Sequence, residues 1–407
     1  MRILFLTHYY APEVNAPASR TAEHCRIWAR AGHEVTVVTG TPNHPQGTPY
    51  PGYGNPIWRR ETVDGVDVVR LWTFLAANEG FGRRTANYVS YAAAATAAAP
   101  FLPKADVVVS TSPQFFCGLA GWPMRLAKRA RWVLEIRDLW PESIVAVGAM
   151  KASPAIRMLE RLEAFAYRRA DAVVAVANAF VPHIAERRGR AEGVEVFVNG
   201  VDLSAFSPGG DGAAAKRALG LEGRFVAAYV GTHGMAHGLD TLLDAADRLR
   251  HRPDIVFLLV GDGAERKALE AARAARGLDN VVMLGQRPKS DMPAIWSATD
   301  VSLIHLRRSD LFKKVLPSKM AEAMGMERPI VLGVEGEAET VLRAAGAGIA
   351  VPPEDADALA AAVVRLADDP AAAAAHGRAG RAYAEARLDR GRIALDYLDL
   401  LERVARL

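Results

Sequence analysis

Short apolar strands alternate with helical stretches from one end of the chain to the other, and this limits the fold more than any other feature of the sequence. In the first half the runs at 2–7, 34–39, 66–70, 106–110, 132–136, 171–176 and 194–198 read as strands. In the second half the runs at 225–230, 255–260, 280–284, 300–304, 330–333 and 348–351 do so. Continuous apolar strands with helices between them argue for parallel sheets covered on both faces. The alternation restarts after the turn-rich stretch NGVDLSAFSPGGDG, Asn199–Gly212, which reads as a junction between domains. At 407 residues, 50% of them hydrophobic, the chain carries more core than one ordinary domain holds. The expected fold is therefore α/β, with two facing, Rossmann-like, doubly wound domains and a cleft between them. Residues 1–200 form the first and 201–385 the second, with a C-terminal helix over 386–407 packing back on the first. In such sheets ligands bind beyond the carboxyl ends of the strands, so the loop after each strand is where chemistry is sought.

The richest of these loops is DLFKKVLPSKMAEAMGMERPIVLG, Asp310–Gly333. Leu316 and Pro317 lead into a helix, with Pro317 suited to its first turn because a proline lacks the N–H left unpaired there. The start of such a helix offers free N–H groups and a positive dipole end to phosphate. Ser318 and Lys319 are four and three residues from Glu322, so the three share a face, with Lys313 and Lys314 just outside. The set offers cations and a hydroxyl for a diphosphate, and a carboxylate able to accept two hydrogen bonds from a ribose diol. The plainer reading is a capped helix with a surface Lys–Glu pair. A second loop, Gly231-Thr232-His233-Gly234-Met235-Ala236-His237-Gly238, follows the strand 225–230. Its glycines allow close approach of a pyrophosphate, yet it matches neither the P-loop nor the dinucleotide pattern.

Other features narrow the classes. A net charge of +4 and pI near 9.0 suit anionic partners, but the basic residues are too dispersed for nucleic-acid binding. Cys25 and Cys117 lie far apart without metal-ligand spacing and read as buried thiols. Asp355-Ala356-Asp357, a pattern able to hold a divalent cation, opens an alanine-rich helix after Pro352-Pro353, where capping accounts for it. The N-terminal run reads as a first strand, not a secretory signal, which places the protein in the cytoplasm. Thr85–Leu102 carries no charge and follows Arg83-Arg84. It reads as a packed helix or as a helix in peripheral contact with the inner face of the cell membrane, through 83–103.

NGVDLSAF, VGDGAERKALE, VVMLGQRPKSDMPAIWSATDVSLIHL and PSKMAEAMGMERPIV resemble the C-terminal domain of retaining family-four glycosyltransferases, which have the GT-B fold. HYYAPEVNAPASR and EIRDLWPES are similar to the WbuB-like subgroup associated with surface-polysaccharide assembly. The resemblance implies that Glu322 binds the nucleotide ribose, that the base lies near Gly285–Arg287, and that Gly261 and Leu316 belong to the nucleotide-sugar set. The family's first glutamate, which has seven residues between it and the one matched by Glu322, is replaced by Lys314. The family's arginine and lysine after the first strand of this domain are also missing, with His237 near the lysine position. On the acceptor side the family's His-Asp pair corresponds to Arg137-Asp138. Asn15 and Ala16 replace two glycines in a loop flanked by Glu13 and Arg20, and Ser112 faces the same expected cleft.

The expected activity is retaining transfer of a hexosyl or N-acetylhexosaminyl unit from a UDP-sugar to a glycan or polyprenyl-diphosphate-linked acceptor. Lys314, Lys319, Arg137 and Asp138 are the candidate catalytic residues. No metal or other cofactor is expected, the UDP-sugar being a co-substrate. A small natural-product acceptor, a sugar-nucleotide epimerase or hydrolase, and a non-enzymatic two-domain sugar-binding protein are the alternatives.

Overall fold

The computed structural model describes residues 1–13, 15–76, 81–142, 144 and 153–407. Its first sheet contains β1 (Arg2–Leu6), β2 (Glu34–Gly40), β3 (Trp58–Val63), β4 (Val66–Leu71), β5 (Val107–Thr111), β6 (Arg131–Ile136), β7 (Ala172–Ala175) and β8 (Val194–Val196). The second contains β9 (Phe225–Val230), β10 (Ile255–Val260), β11 (Val281–Leu284), β12 (Val301–His305), β13 (Ile330–Gly333) and β14 (Gly348–Ala350). The orders are β3-β4-β2-β1-β5-β6-β7-β8 and β11-β10-β9-β12-β13-β14. The second is the doubly wound order in full: three strands wind outward from β9 on one side and three from β12 on the other. Each sheet reverses direction at one crevice, between β1 and β5 and between β9 and β12, which is where open α/β sheets bind ligands.

The pairing is parallel except at one edge, where β3 runs antiparallel to β4. The sequence reading omitted β3 because WRRETV alternates exposed and half-buried residues and has no apolar run. The signal was in the turn. Asp64 and Gly65 both have positive φ, 50° and 82°, the conformation of a two-residue hairpin turn that Asp-Gly favours.

The chain divides into two units, Met1–Val198 with Gly391–Leu407, and Asn199–Arg390. Each has its own core, led by Tyr91, Trp132 and Trp28 in the first and by Tyr229, Phe257 and Leu303 in the second. The last helix, Arg390–Ala405, buries Tyr397, Leu401 and Val404 in the first unit. Trp28 donates its indole N–H to the Ala394 carbonyl at 2.7 Å, and the Phe197 and Tyr397 rings stack at 4.9 Å. The return to the first unit comes at Gly391 and not at 386. Asp389 still bridges to Val201, and Arg390 donates to the Gly200 carbonyl at 3.0 Å. The helix Phe81–Ala98 turns Tyr91, Ala95 and Ala98 into the core, and Tyr91 donates to the Val38 carbonyl at 2.7 Å. Among the described residues no helix is long and apolar enough to cross a membrane.

Candidate functional site

Beyond the carboxyl ends of β9, β10 and β11, on one side of the β9/β12 crevice, three loops are layered by glycines. Gly231, Gly261 and Gly263 have φ of 148°, 142° and 156°, a region L side chains rarely adopt. A Cβ on Gly261 would lie 1.9 Å from the Gly231 carbonyl oxygen, and one on Gly263 would lie 2.4 Å from that of His233. The layers are tied by backbone bonds from Gly231 to Val260, from His233 to Asp262 and from Gly261 to Leu284. His233 is fully buried beneath them, and neither ring nitrogen has a hydrogen-bond partner among the described residues. Burial first, and then the Arg266 charge, lowers its pKa. Thr232 is exposed, and its carbonyl accepts from the Tyr229 hydroxyl at 2.7 Å.

Beyond β12, the short turn Phe312–Lys314 leads through half-buried Leu316 and Pro317 to the helix Ser318–Gly325. Pro317 stands just before this helix, not in its first turn, with φ −64° and ψ 127°. The Met320 N–H already bonds the Pro317 carbonyl at 3.0 Å, so the N–H groups of Ser318 and Lys319 are the ones a helix start leaves without an intrahelical acceptor, where an anion can meet them. Ser318 is exposed and Lys314 half-buried. Lys313 is held by Asp310 at 2.8 Å and Glu335 at 3.7 Å, which draws its ammonium to neighbouring carboxylates.

Lys319 differs from its neighbours. Part of its stem is accessible, but its amine is shut off from solvent and has no hydrogen-bond partner among the described residues. The amine sits 3.6 Å from the centre of the Tyr229 ring, and a Cβ on Gly231 would lie 2.8 Å from it. Burial pushes its pKa down to about 7, with only the Glu322 charge opposing. Glu322 is itself displaced upward, by burial first. It accepts from the Trp296 indole N–H at 3.3 Å.

His237 closes the 3₁₀ turn Met235–His237 of the same loop, with Nδ1 3.3 Å from the Gly234 carbonyl and its pKa lowered to about 4, by burial first. The loop is pinned from β12. His305 Nδ1 donates to the His237 carbonyl at 2.7 Å, and its Nε2 accepts from the Glu354 N–H at 2.9 Å, fixing a neutral ring. Arg307 donates to the Met235 carbonyl at 2.9 Å. On the third loop, Gly285 packs against Arg266, whose guanidinium nitrogen would lie 2.9 Å from an added Cβ, and Arg287 is exposed. Sequence reasoning missed Tyr229, Trp296 and His305, whose roles depend on contacts across strands. The one clue was that a buried indole needs an acceptor.

In the first unit, Glu13 is buried and accepts from the N–H groups of Asn43 and His44, both at 2.9 Å, and of Tyr10 at 3.3 Å. Asn15 caps the helix Ala16–Arg30 by accepting from the Ala18 N–H at 2.8 Å. Ala16 opens that helix, and its side chain lies outside the described residues. Arg20 lies inside, 5% exposed, donating to the carbonyls of Phe197 and Val198 at 3.1 Å and paired with Glu135 at 3.4 Å. It ties the first helix to the sheet. At the carboxyl end of β5, Ser112 accepts from the Arg137 N–H at 2.8 Å, and Ser112 and Asp138 line one small pocket with Phe115 and Trp140. Asp355 caps its helix at 2.9 Å to Ala358, and Asp357 pairs with Arg248. Among the described residues no group of three metal-ligating side chains occurs.

Two Rossmann-like units with loops gathered at their switch points are the architecture of the GT-B glycosyltransferases. Residues 15–200 match the glycosyl transferase 4-like domain, and residues 224–369 match the glycosyl transferases group 1 domain. The chain belongs to the family-four glycosyltransferases. It is 26% identical over 416 residues to WcaI of Escherichia coli K12, spanning 98% of this chain and 99% of WcaI, which is provisionally named a colanic acid biosynthesis glycosyl transferase. A 2-deoxystreptamine glucosyltransferase of Streptomyces kanamyceticus is 32% identical over 234 residues, 55% of this chain and 58% of its own. Among solved structures, Anabaena HepE in complex with UDP-glucose superposes with TM-score 0.72 at 19% identity, over 99% of this chain and 100% of HepE.

Proposed function

We propose that this glycosyltransferase acts with retention, taking an amino- or deoxy-sugar from a UDP donor to a glycan or polyprenyl-diphosphate-linked acceptor in surface-polysaccharide assembly. It belongs, in this reading, to the WbuB-like subgroup. The observation that carries the donor half is Lys319, a buried amine without a hydrogen-bond partner among the described residues, set between the glycine-layered loop and the start of the helix Ser318–Gly325. A diphosphate there gains a charge-assisted bond from Lys319, backbone donors from the helix start, and a ribose contact from Glu322. Two similarities support the same reading: HepE binds UDP-glucose, and WcaI is named for colanic acid biosynthesis.

In the transfer, the bond from the anomeric carbon to the diphosphate oxygen breaks as the acceptor oxygen bonds to the same face. The acceptor proton passes to the departing phosphate oxygen. Lys319, Lys314 and the N–H groups of the helix start stabilise the charge that develops there, the kind of prepositioned stabilisation that dominates many enzymes. Asp138, beside Arg137, orients the acceptor hydroxyl. No metal is required. The enzyme works at the cytoplasmic side of the membrane, with the outward face of the helix Phe81–Ala98 toward the lipid.

Calorimetry with UDP tests the assignment. Lys319→Met and Glu322→Ala should each weaken UDP binding about 10- to 100-fold, the loss of one charge-assisted hydrogen bond. Asp138→Asn should lower turnover while leaving UDP affinity intact. Wild-type UDP affinity in both of the first two variants would overturn the reading. The similarity to a 2-deoxystreptamine glucosyltransferase favours a second reading, a small aminocyclitol-like acceptor. Turnover with soluble acceptors alone would select it.

A further inference from the structure

At the amino ends of β6, β7 and β8, away from the loops that carry Ser112 and Asp138, the helices Phe115–Lys128, Pro154–Arg169 and Val181–Arg188 all finish in basic residues. Together they enclose an open cavity of about 470 Å³ lined by Arg125, Arg168, Arg169, Arg188, Arg190 and Trp122. The floor is built in advance. The Arg125 and Arg169 guanidinium carbons lie 5.4 and 5.3 Å from the centre of the Trp122 ring. Arg188 is 4% exposed and donates to the carbonyls of Tyr167 at 2.5 Å and Asp171 at 3.1 Å, while its Nε is buried without a partner among the described residues. Gly193, with φ 75°, makes room for it, since a Cβ there would lie 3.1 Å from the guanidinium. Asp171 does not neutralise the set: it is shared by Arg125 at 3.1 Å, Arg131 at 3.2 Å and the Trp132 N–H at 2.8 Å. The other acidic residue of the lining is Glu192, and Arg168 and Arg190 stand exposed at the rim.

Apolar side chains accompany the charge along the same edge. Phe101 is 79% exposed and Leu126 57%. Lys128 donates to the Leu102 carbonyl at 2.5 Å, joining the segment after Phe101 to the end of the arginine-bearing helix. Lys104 and Arg129 are exposed nearby in the chain. Planar guanidinium groups suit phosphate oxygens, and a basic surface with protruding apolar residues suits a charged lipid interface.

We propose that this arginine-lined cavity seats the phosphate of an anionic lipid headgroup and that Phe101 and Leu126 enter the interface beside it. The test is co-sedimentation of the full chain with vesicles of phosphatidylcholine alone or mixed with phosphatidylglycerol. Wild type should bind the mixed vesicles, ignore the neutral ones and be released by salt. The double variant Arg168→Glu, Arg190→Glu should bind about tenfold or more weakly, with its melting midpoint and UDP affinity unchanged. Equal binding to neutral vesicles overturns the proposal, as does anionic binding that survives the double reversal. Thermal stabilisation by inorganic pyrophosphate that the double variant loses, without vesicle binding, would assign the cavity to a soluble phosphate and overturn the lipid assignment. Because the readout is lipid binding, its failure leaves the donor-site reading untouched.

Discussion

Lys319 joins burial to chemistry at the scale of a single side chain. Its amine titrates near about 7, lowered by burial, so above that pH it is largely neutral in the free protein. A bound diphosphate restores the charged form and raises the pKa. Between the free and bound values, binding therefore takes up a proton, and UDP affinity falls as pH rises, by at most about tenfold per unit. Below pH 7 the amine is charged in both states and no uptake remains. The other titratable groups around it do not produce this signal. Burial holds His237 near about 4 and lowers His233, and burial drives the Tyr229 hydroxyl above the window. Glu322, raised by burial, is separated by substitution. Calorimetry at pH 8 in buffers of different ionisation enthalpy should show uptake approaching one proton in wild type and in Glu322→Gln, and none in Lys319→Met. Uptake that persists in Lys319→Met would remove the lysine from this role. The sequence made Lys319 a candidate through its spacing from Glu322. Its isolation depends on Tyr229 and Gly231, which approach from another strand and which spacing along the chain does not reveal.

Among the elements, the layered loops make a sharper prediction than the helix start. Gly261→Ala places a Cβ against the Gly231 carbonyl at a φ of 142°, so the layers must separate. It should cost about 2–3 kcal/mol of stability and weaken UDP binding. Gly277→Ala is the matched control: φ is 58°, nothing lies within 4 Å, and only a backbone penalty of about 1 kcal/mol is expected, with affinity unchanged. Urea denaturation and calorimetry on both variants check the pair, and equal affinities would mean that the layering does not shape the site. The apolar strands were legible because burial on both faces writes itself as a continuous run, as in IVFLLV of β10. The edge strand β3 was not, since its residues alternate between exposed and half-buried without an apolar run, and only the Asp64-Gly65 turn announced it. His305 lies one residue past the run 300–304 that reads as a strand, and no role is legible for it there. Its work of pinning the His237 loop comes from the pairing of sheet neighbours.

For the whole molecule, the restart of the strand pattern after Asn199 revealed two α/β units, and the order around β9 and β12 follows from the doubly wound rule. The interleaving of the chain was harder to place to the residue, because Asp389 and Arg390 lie in helical sequence yet bond to Gly200 and Val201. UDP should act on one unit. At about a hundred times its dissociation constant it adds about 2.7 kcal/mol of apparent stability. In hydrogen exchange, protection should rise over 230–238 and 316–325 and stay flat over 154–169. Uniform protection of both stretches would count against a donor site confined to Asn199–Arg390.

The passage of residues 391–407 back into the first unit has a consequence for how the protein is made. On the ribosome the stretch 1–198 emerges before 199–390, but Trp28 cannot meet Ala394, nor Phe197 stack on Tyr397, until residues 391–407 have followed. The unit 199–390 is complete before that point. The half that begins before the other is thus completed after it, and until residues 391–407 emerge it exposes an apolar seam that a chaperone can hold.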